Sequence, residues 1–166
     1  MALIAYTSRG SLTSGEMARG RIGFRRVLSV LASIEYDVSQ LGDEERSDML
    51  RDALRKAVEL LPRERNLVFL FTTAGDLIYL ETVAHVISRL RALGNEVYAV
   101  IPISVVYELR GMSSWAQAIY RVKTFEMLKK ELEFARELKR RGVKVVALGP
   151  QYLPQTVIRI IESLRA

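Results

Sequence analysis

The chain has 166 residues, of which 49% are apolar and 27% charged, the balance of a globular domain large enough to bury a core without covalent staples. It has no cysteine, which excludes disulfides, thiolate metal centres and cysteine nucleophiles, and no apolar run approaches the roughly 18 to 20 residues of a membrane span. The formal net charge of +6 and the pI near 9.8 suit an anionic partner or simple solubility. Four short apolar runs, Ala2–Thr7, Asn66–Thr72, Glu96–Ile101 and Val143–Leu148, read as strands covered on both faces, because each is nearly continuous rather than alternating.

Helical periodicity fills the spaces between them. Arg21–Glu35 places Ile22, Val27, Leu28, Leu31 and Ile34 on one stripe. Asp43–Leu61 does the same with Leu50, Ala53, Leu54, Ala57, Val58 and Leu61, with Asp43 as the expected N-cap. Tyr79–Leu93 is expected to bury Val83, Val86, Ile87 and Leu90 and to stop at Gly94. Thr124–Arg141 is expected to bury Leu128, Leu132, Ala135 and Leu138 and to stop at Gly142. A last helix opens around Pro154 and runs to Leu164. Residues 104–123 give the weakest pattern; Met112–Val122 reads as a short helix with Trp115, Ile119 and Val122 inward, or as a flap. Strand–helix alternation of this kind predicts a single α/β domain, a three-layer α/β/α sandwich around a mainly parallel, Rossmann-like sheet.

The chemistry-bearing motifs are sparse. His85 is the only histidine and lies mid-helix without an evident orienting partner. No Gly-x-Ser-x-Gly elbow, phosphate loop or dinucleotide fingerprint can be read. In parallel sheets ligands gather beyond the strand C-termini, which points to Ser8, Arg9, Thr72, Thr73, Asp76 and Ser104, a hydroxyl-rich set, with Gly149, Pro150 and Gln151 after the last strand. Arg19, Arg21, Arg25 and Arg26 crowd a helix start, where cations are unfavourable, and form a candidate anion site. Lys139, Arg140 and Arg141 end a helix, where cations are at home. No aromatic RNA-binding signature accompanies either cluster, so nucleic acid is not the expected partner.

Ala2-Leu-Ile-Ala-Tyr-Thr-Ser, a short polar hairpin, and Gly20-Arg21 leading into Phe24-Arg-Arg-Val-Leu resemble the DUF58 family, whose C-terminal half is von Willebrand factor A-like. Ser47-Asp48-Met-Leu-Arg-Asp-Ala-Leu and Leu67-Val-Phe-Leu-Phe-Thr72-Thr73 resemble its next helix and central strand. The resemblance implies an interaction or scaffolding domain working with a MoxR-type AAA+ ATPase; the sparse chemistry favours a non-catalytic role, and the absence of cysteine fits a cytoplasmic location. It also implies that the chain begins at the family's second strand. The family's metal motif begins Asp-x-Ser-x-Ser; here Tyr6 stands where the first Asp is needed, Ser47 matches the second part, and Thr73 replaces the third-part Asp, with Asp76 three residues on. No magnesium site and no other cofactor is therefore expected. Without the first strand, Ala2–Thr7 is expected to pair directly with Leu67–Thr72, and a homodimer is expected to cover remaining apolar surface. Two rival functions are an anion or nucleic-acid binder built on Arg19–Arg26 and a hydrolase on a Rossmann-like sheet.

Overall fold

A computed structural model describes residues 1–7, 10–34, 41–62, 64–103 and 114–163. In chain order the elements are β1 (Ile4–Thr7), β2 (Gly10–Thr13), α1 (Gly20–Ser33), α2 (Asp43–Leu60), β3 (Leu67–Phe71), α3 (Leu77–Ala92), β4 (Glu96–Pro102), α4 (Ser114–Arg140), β5 (Lys144–Leu148) and α5 (Leu153–Ser163), the last entered through a 3-10 turn at Pro150–Tyr152. The fold is mixed α/β with a parallel three-stranded sheet. The chain forms two compact units, Met1–Leu67 with Asp76–Glu96, and Val68–Gly75 with Val97–Ala166.

In the first unit, β1 and β2 form an antiparallel hairpin in the register Ile4↔Thr13 to Thr7↔Gly10. The ladder continues outward, where the Ser14 amide donates to the Leu3 carbonyl at 3.0 Å and the Leu3 amide donates to Ser14 Oγ at 2.8 Å. This corrects the expected pairing of Ala2–Thr7 with Leu67–Thr72, since β1 belongs to its own two-stranded sheet. The physical reason is local. Ser11 to Thr13 supply β-compatible residues within a tight-turn reach of β1, so the hairpin closes at little loop entropy, whereas pairing with β3 must close about sixty residues.

α2 packs along α3. α3 buries Tyr79, Leu80, Val83, Val86, Ile87 and Leu90, a stripe repeating at three and four residues, and its N-cap Asp76 accepts a hydrogen bond from the Tyr79 amide at 2.8 Å. It ends as expected at Gly94, whose φ of 85° only glycine adopts freely; the Gly94 amide donates to the Arg91 carbonyl at 2.9 Å. The start of α2 differs from expectation. Gly42 is the cap and Asp43 the first helical residue, and the Glu45 carboxylate accepts from the Gly42 amide at 3.2 Å. Three acidic residues in that first turn complement the positive helix end. On α2 the expected stripe buries Leu50, but Val58 is exposed. On α1 the expected stripe fails more widely: Ile22, Leu28 and Leu31 are exposed.

The second unit holds the sheet, in the order β3-β4-β5. β4 pairs in parallel with β5 from Tyr98↔Lys144 to Pro102↔Leu148, and the Thr72 amide following β3 donates to the Val100 carbonyl at 3.0 Å. Val97, Ala99, Val100 and Ile101 are all buried, as a central strand covered on both faces requires. α4 is one continuous helix from Ser114, so the weak pattern before Thr124 belongs to the same element; Trp115, Ile119 and Val122 have side chains outside the described residues. It packs on β5 and buries Phe134, Ala135 and Leu138, while Leu132 is exposed and Glu131 is buried in its stead. Gly142, with φ of 76°, ends it where the sequence placed the stop.

Leu138 has no exposed surface and Leu132 is 40% exposed. In urea unfolding, Leu138→Ala is expected to cost about 2–5 kcal/mol and Leu132→Ala under about 1 kcal/mol. Equal losses would contradict this placement of the α4 stripe.

Candidate functional site

Two polar clusters lie in the first unit. The first gathers at the starts of α2 and α3. Asp43 Oδ1 is 2.6 Å from Arg46 Nη1, and Asp43 Oδ2 accepts from the Asp76 amide at 2.8 Å. The Arg46 guanidinium lies 3.9 Å from the Tyr79 ring centroid, and Asp76 caps the helix on which Tyr79 sits. Ser47 follows Arg46 on α2; it is 1% exposed, and its hydroxyl has no hydrogen-bond partner. Of the residues proposed from sequence, Ser47 and Asp76 thus fall at this cluster.

A divalent cation would need several oxygen ligands, with carboxylates among them. Asp43 is engaged by a guanidinium and an amide, and Asp76 by the α3 amide it caps. Among the described residues no group of three or more His, Asp or Glu side chains is placed to share a metal ion. The residues present do not fit a magnesium centre, and the orphaned Ser47 hydroxyl stands without a carboxylate free to act beside it.

The second cluster was not foreseen. The Tyr6 hydroxyl on β1 donates to Asp52 Oδ2 on α2 at 2.6 Å. Lys56 Nζ is 3.1 Å from the same oxygen, Arg55 Nη2 is 3.3 Å from Asp52 Oδ1, and Lys56 also donates to Ser11 Oγ on β2. The cluster pins both hairpin strands to one helix. Burial, reinforced by the Asp52 carboxylate, pushes the Tyr6 phenol above its ordinary range. The Tyr6 hydrogen bond, reinforced by Lys56, holds Asp52 below the usual carboxylate range. The shifts keep the Tyr6 phenol protonated as donor and the Asp52 carboxylate ionised as acceptor, which strengthens the link between the hairpin and α2. Asp52 and Lys56 stand at i, i+4, a spacing visible in sequence; the contribution of Tyr6 was not, because it depends on tertiary placement.

In the second unit, Thr72 is buried just beyond β3 and Thr73 is exposed; the Thr72 hydroxyl donates to the Thr73 carbonyl at 3.3 Å. Ser8, Arg9 and Ser104 lie outside the described residues. His85 is exposed on α3.

Arg19, Arg21, Arg25 and Arg26 are all exposed around the start of α1, a first turn without acidic residues. Arg19 lies 3.8 Å from the exposed Glu64, and Arg26 donates to the Glu16 carbonyl at 3.5 Å. At the end of α4, Glu137 pairs with Arg140 at 2.9 Å. No protein-family model matches the chain, and no curated protein or solved structure does either.

Two measurements test this account. Because the folded Asp52 titrates below its unfolded value, the stability it contributes is present above the ordinary carboxylate range and is lost as pH falls below about 4. Tyr6 works in the opposite sense, its contribution being lost as pH rises past about 10. Urea midpoints followed across pH are expected to show both limbs, with Asp52→Asn flattening the acid limb; an unchanged acid limb would count against the cluster. Ser47→Ala removes an unsatisfied buried hydroxyl and is expected to be neutral or to stabilise by about 1 kcal/mol. Calorimetric titration of the parent chain with Mg²⁺ is expected to give no saturable heat, and micromolar affinity abolished by Ser47→Ala would overturn the reading.

Proposed function

We propose that the chain is a non-catalytic protein-interaction or scaffolding domain of the von Willebrand A-like class, three-layered and cytoplasmic, acting with a MoxR-type AAA+ ATPase. The observation that carries this reading is the edge of the sheet at β3. The strand Leu67-Val-Phe-Leu-Phe has no charge and no proline to discourage pairing, and among the described residues it is the terminal strand of its sheet. Soluble proteins usually blunt such an edge. An edge left apolar and unprotected is the template for strand addition, in which main-chain hydrogen bonds supply affinity and alternate side chains supply specificity. Phe71, 58% exposed at the end of β3, extends the apolar surface beyond the ladder.

Support also comes from the polar residues. The ionisable side chains that come together in the first unit, Asp43 with Arg46 and Asp52 with Lys56, are oppositely charged pairs that hold elements in place. A hydrolase requires a nucleophile with its base and an oriented third group; these pairs instead consume their own charge. The resemblance to the DUF58 family supplies the class of partner.

Binding of the whole chain to a MoxR-type ATPase from the same genome, followed by interferometry, is expected to saturate. Phe71→Lys is expected to weaken it about tenfold, or about 1.4 kcal/mol. Absence of saturable binding to the parent chain would defeat the proposal.

A further inference from the structure

α1 carries two neighbouring apolar rows. Gly23, Val27, Val30 and Ile34 follow one another at four, three and four residues and are the covered side of the helix, Gly23 buried and the others half-buried. Phe24, Leu28 and Leu31 form the adjacent row at four and three residues. They are 52%, 46% and 49% exposed, so three large side chains stand in line with about half their surface in water. Arg21 and Arg25, one turn apart, border that row on the side away from Gly23. Neither has an acidic partner among the described residues. The surrounding stretch from Met17 to Ile34 contains four arginines and no acidic residue. The arginines occupy the end of the helix that already carries the positive dipole, so within the chain alone their placement is unfavourable.

We propose that α1 is an interfacial helix that lies on an anionic lipid surface, with Phe24, Leu28 and Leu31 entering the boundary between headgroups and acyl chains and Arg21 and Arg25 meeting lipid phosphates. An apolar row bordered by arginines on a helix of low overall hydrophobicity is the pattern of such elements. The arginine stems bury against the row while their heads stay at the phosphate level. Charge selects this occupant over the alternatives. Duplex nucleic acid would engage the arginines and leave the row bare. A second copy would bring together two chains of net charge +6 through their most basic helix. The lipid surface goes beyond the protein partner proposed above and does not depend on it.

The test is co-sedimentation of the whole chain with vesicles of phosphatidylcholine alone and of phosphatidylcholine with 30 mol% phosphatidylglycerol, at low and at physiological salt. Binding is expected to the anionic vesicles only, weakening at higher salt. The variant Phe24→Ser/Leu28→Ser/Leu31→Ser, checked for parental circular dichroism, is expected to bind at least tenfold more weakly. Arg21→Gln/Arg25→Gln, which leaves the apolar row intact, is expected to do the same. Three outcomes would overturn the proposal: no binding to anionic vesicles at low salt; undiminished binding by the serine variant; or a dimer in light scattering that the serine variant dissolves without any vesicle binding. Tighter binding of poly-glutamate than of vesicles, insensitive to the serine substitutions, would assign the arginines to an acidic polypeptide and overturn it equally.

Discussion

Burying β4 obliges the chain to place a strand on each of its edges. Ala99, Val100 and Ile101 are wholly removed from solvent, so their amides and carbonyls cannot turn to water, and each left unpaired would cost about 1–3 kcal/mol. β3 and β5 meet that demand from the two sides. Because these neighbours run parallel to β4, neither can be reached by a hairpin, and the connections must cross from one end of the sheet to the other. The positions of α3 and α4 in the sequence follow from that geometry.

The parts of the fold legible in sequence are those decided by local chemistry. β4 and β5 declare themselves as uninterrupted apolar runs, and Gly94 and Gly142 declare the helix ends they close. The errors fall where pairing is decided by distance along the chain or by neighbours the sequence does not identify. Ala2–Thr7 has the composition of a central strand, and nothing in those residues says that Ser11 to Thr13 will reach them first. On α1, Val27 and Leu28 are equally apolar, and only packing determines that the row through Val27 is the covered one. The same limit applies to the polar clusters. Asp76 and Ser47 could be singled out, but the contact of Tyr6 with Asp52 spans 46 residues and has no signature at either end.

The polar chemistry of the first unit has one character throughout. Opposite charges meet at Asp43 and Arg46, at Asp52 and Lys56, and at Arg65 and Glu96, and each pair joins elements or stiffens a helix. α1 departs from that pattern: Arg21 and Arg25 have no acidic partner among the described residues, and Phe24, Leu28 and Leu31 are about half exposed.

The two glycine-closed helix ends have a consequence for how the chain can vary. Leu93-Gly94-Asn95 joins α3 to β4, and Arg141-Gly142-Val143 joins α4 to β5, so three residues separate each strand from the helix before it. Connections that short hold strand starts in line and leave no room for insertion. At the opposite ends of the strands, five residues separate β3 from α3 and eleven separate β4 from α4. The two sides of the sheet are therefore unequally free to diverge: lengthening or replacing the segments after β3 and β4 leaves the turns that set strand alignment untouched, so the side where parallel sheets recognise partners can be rebuilt while the architecture is inherited unchanged.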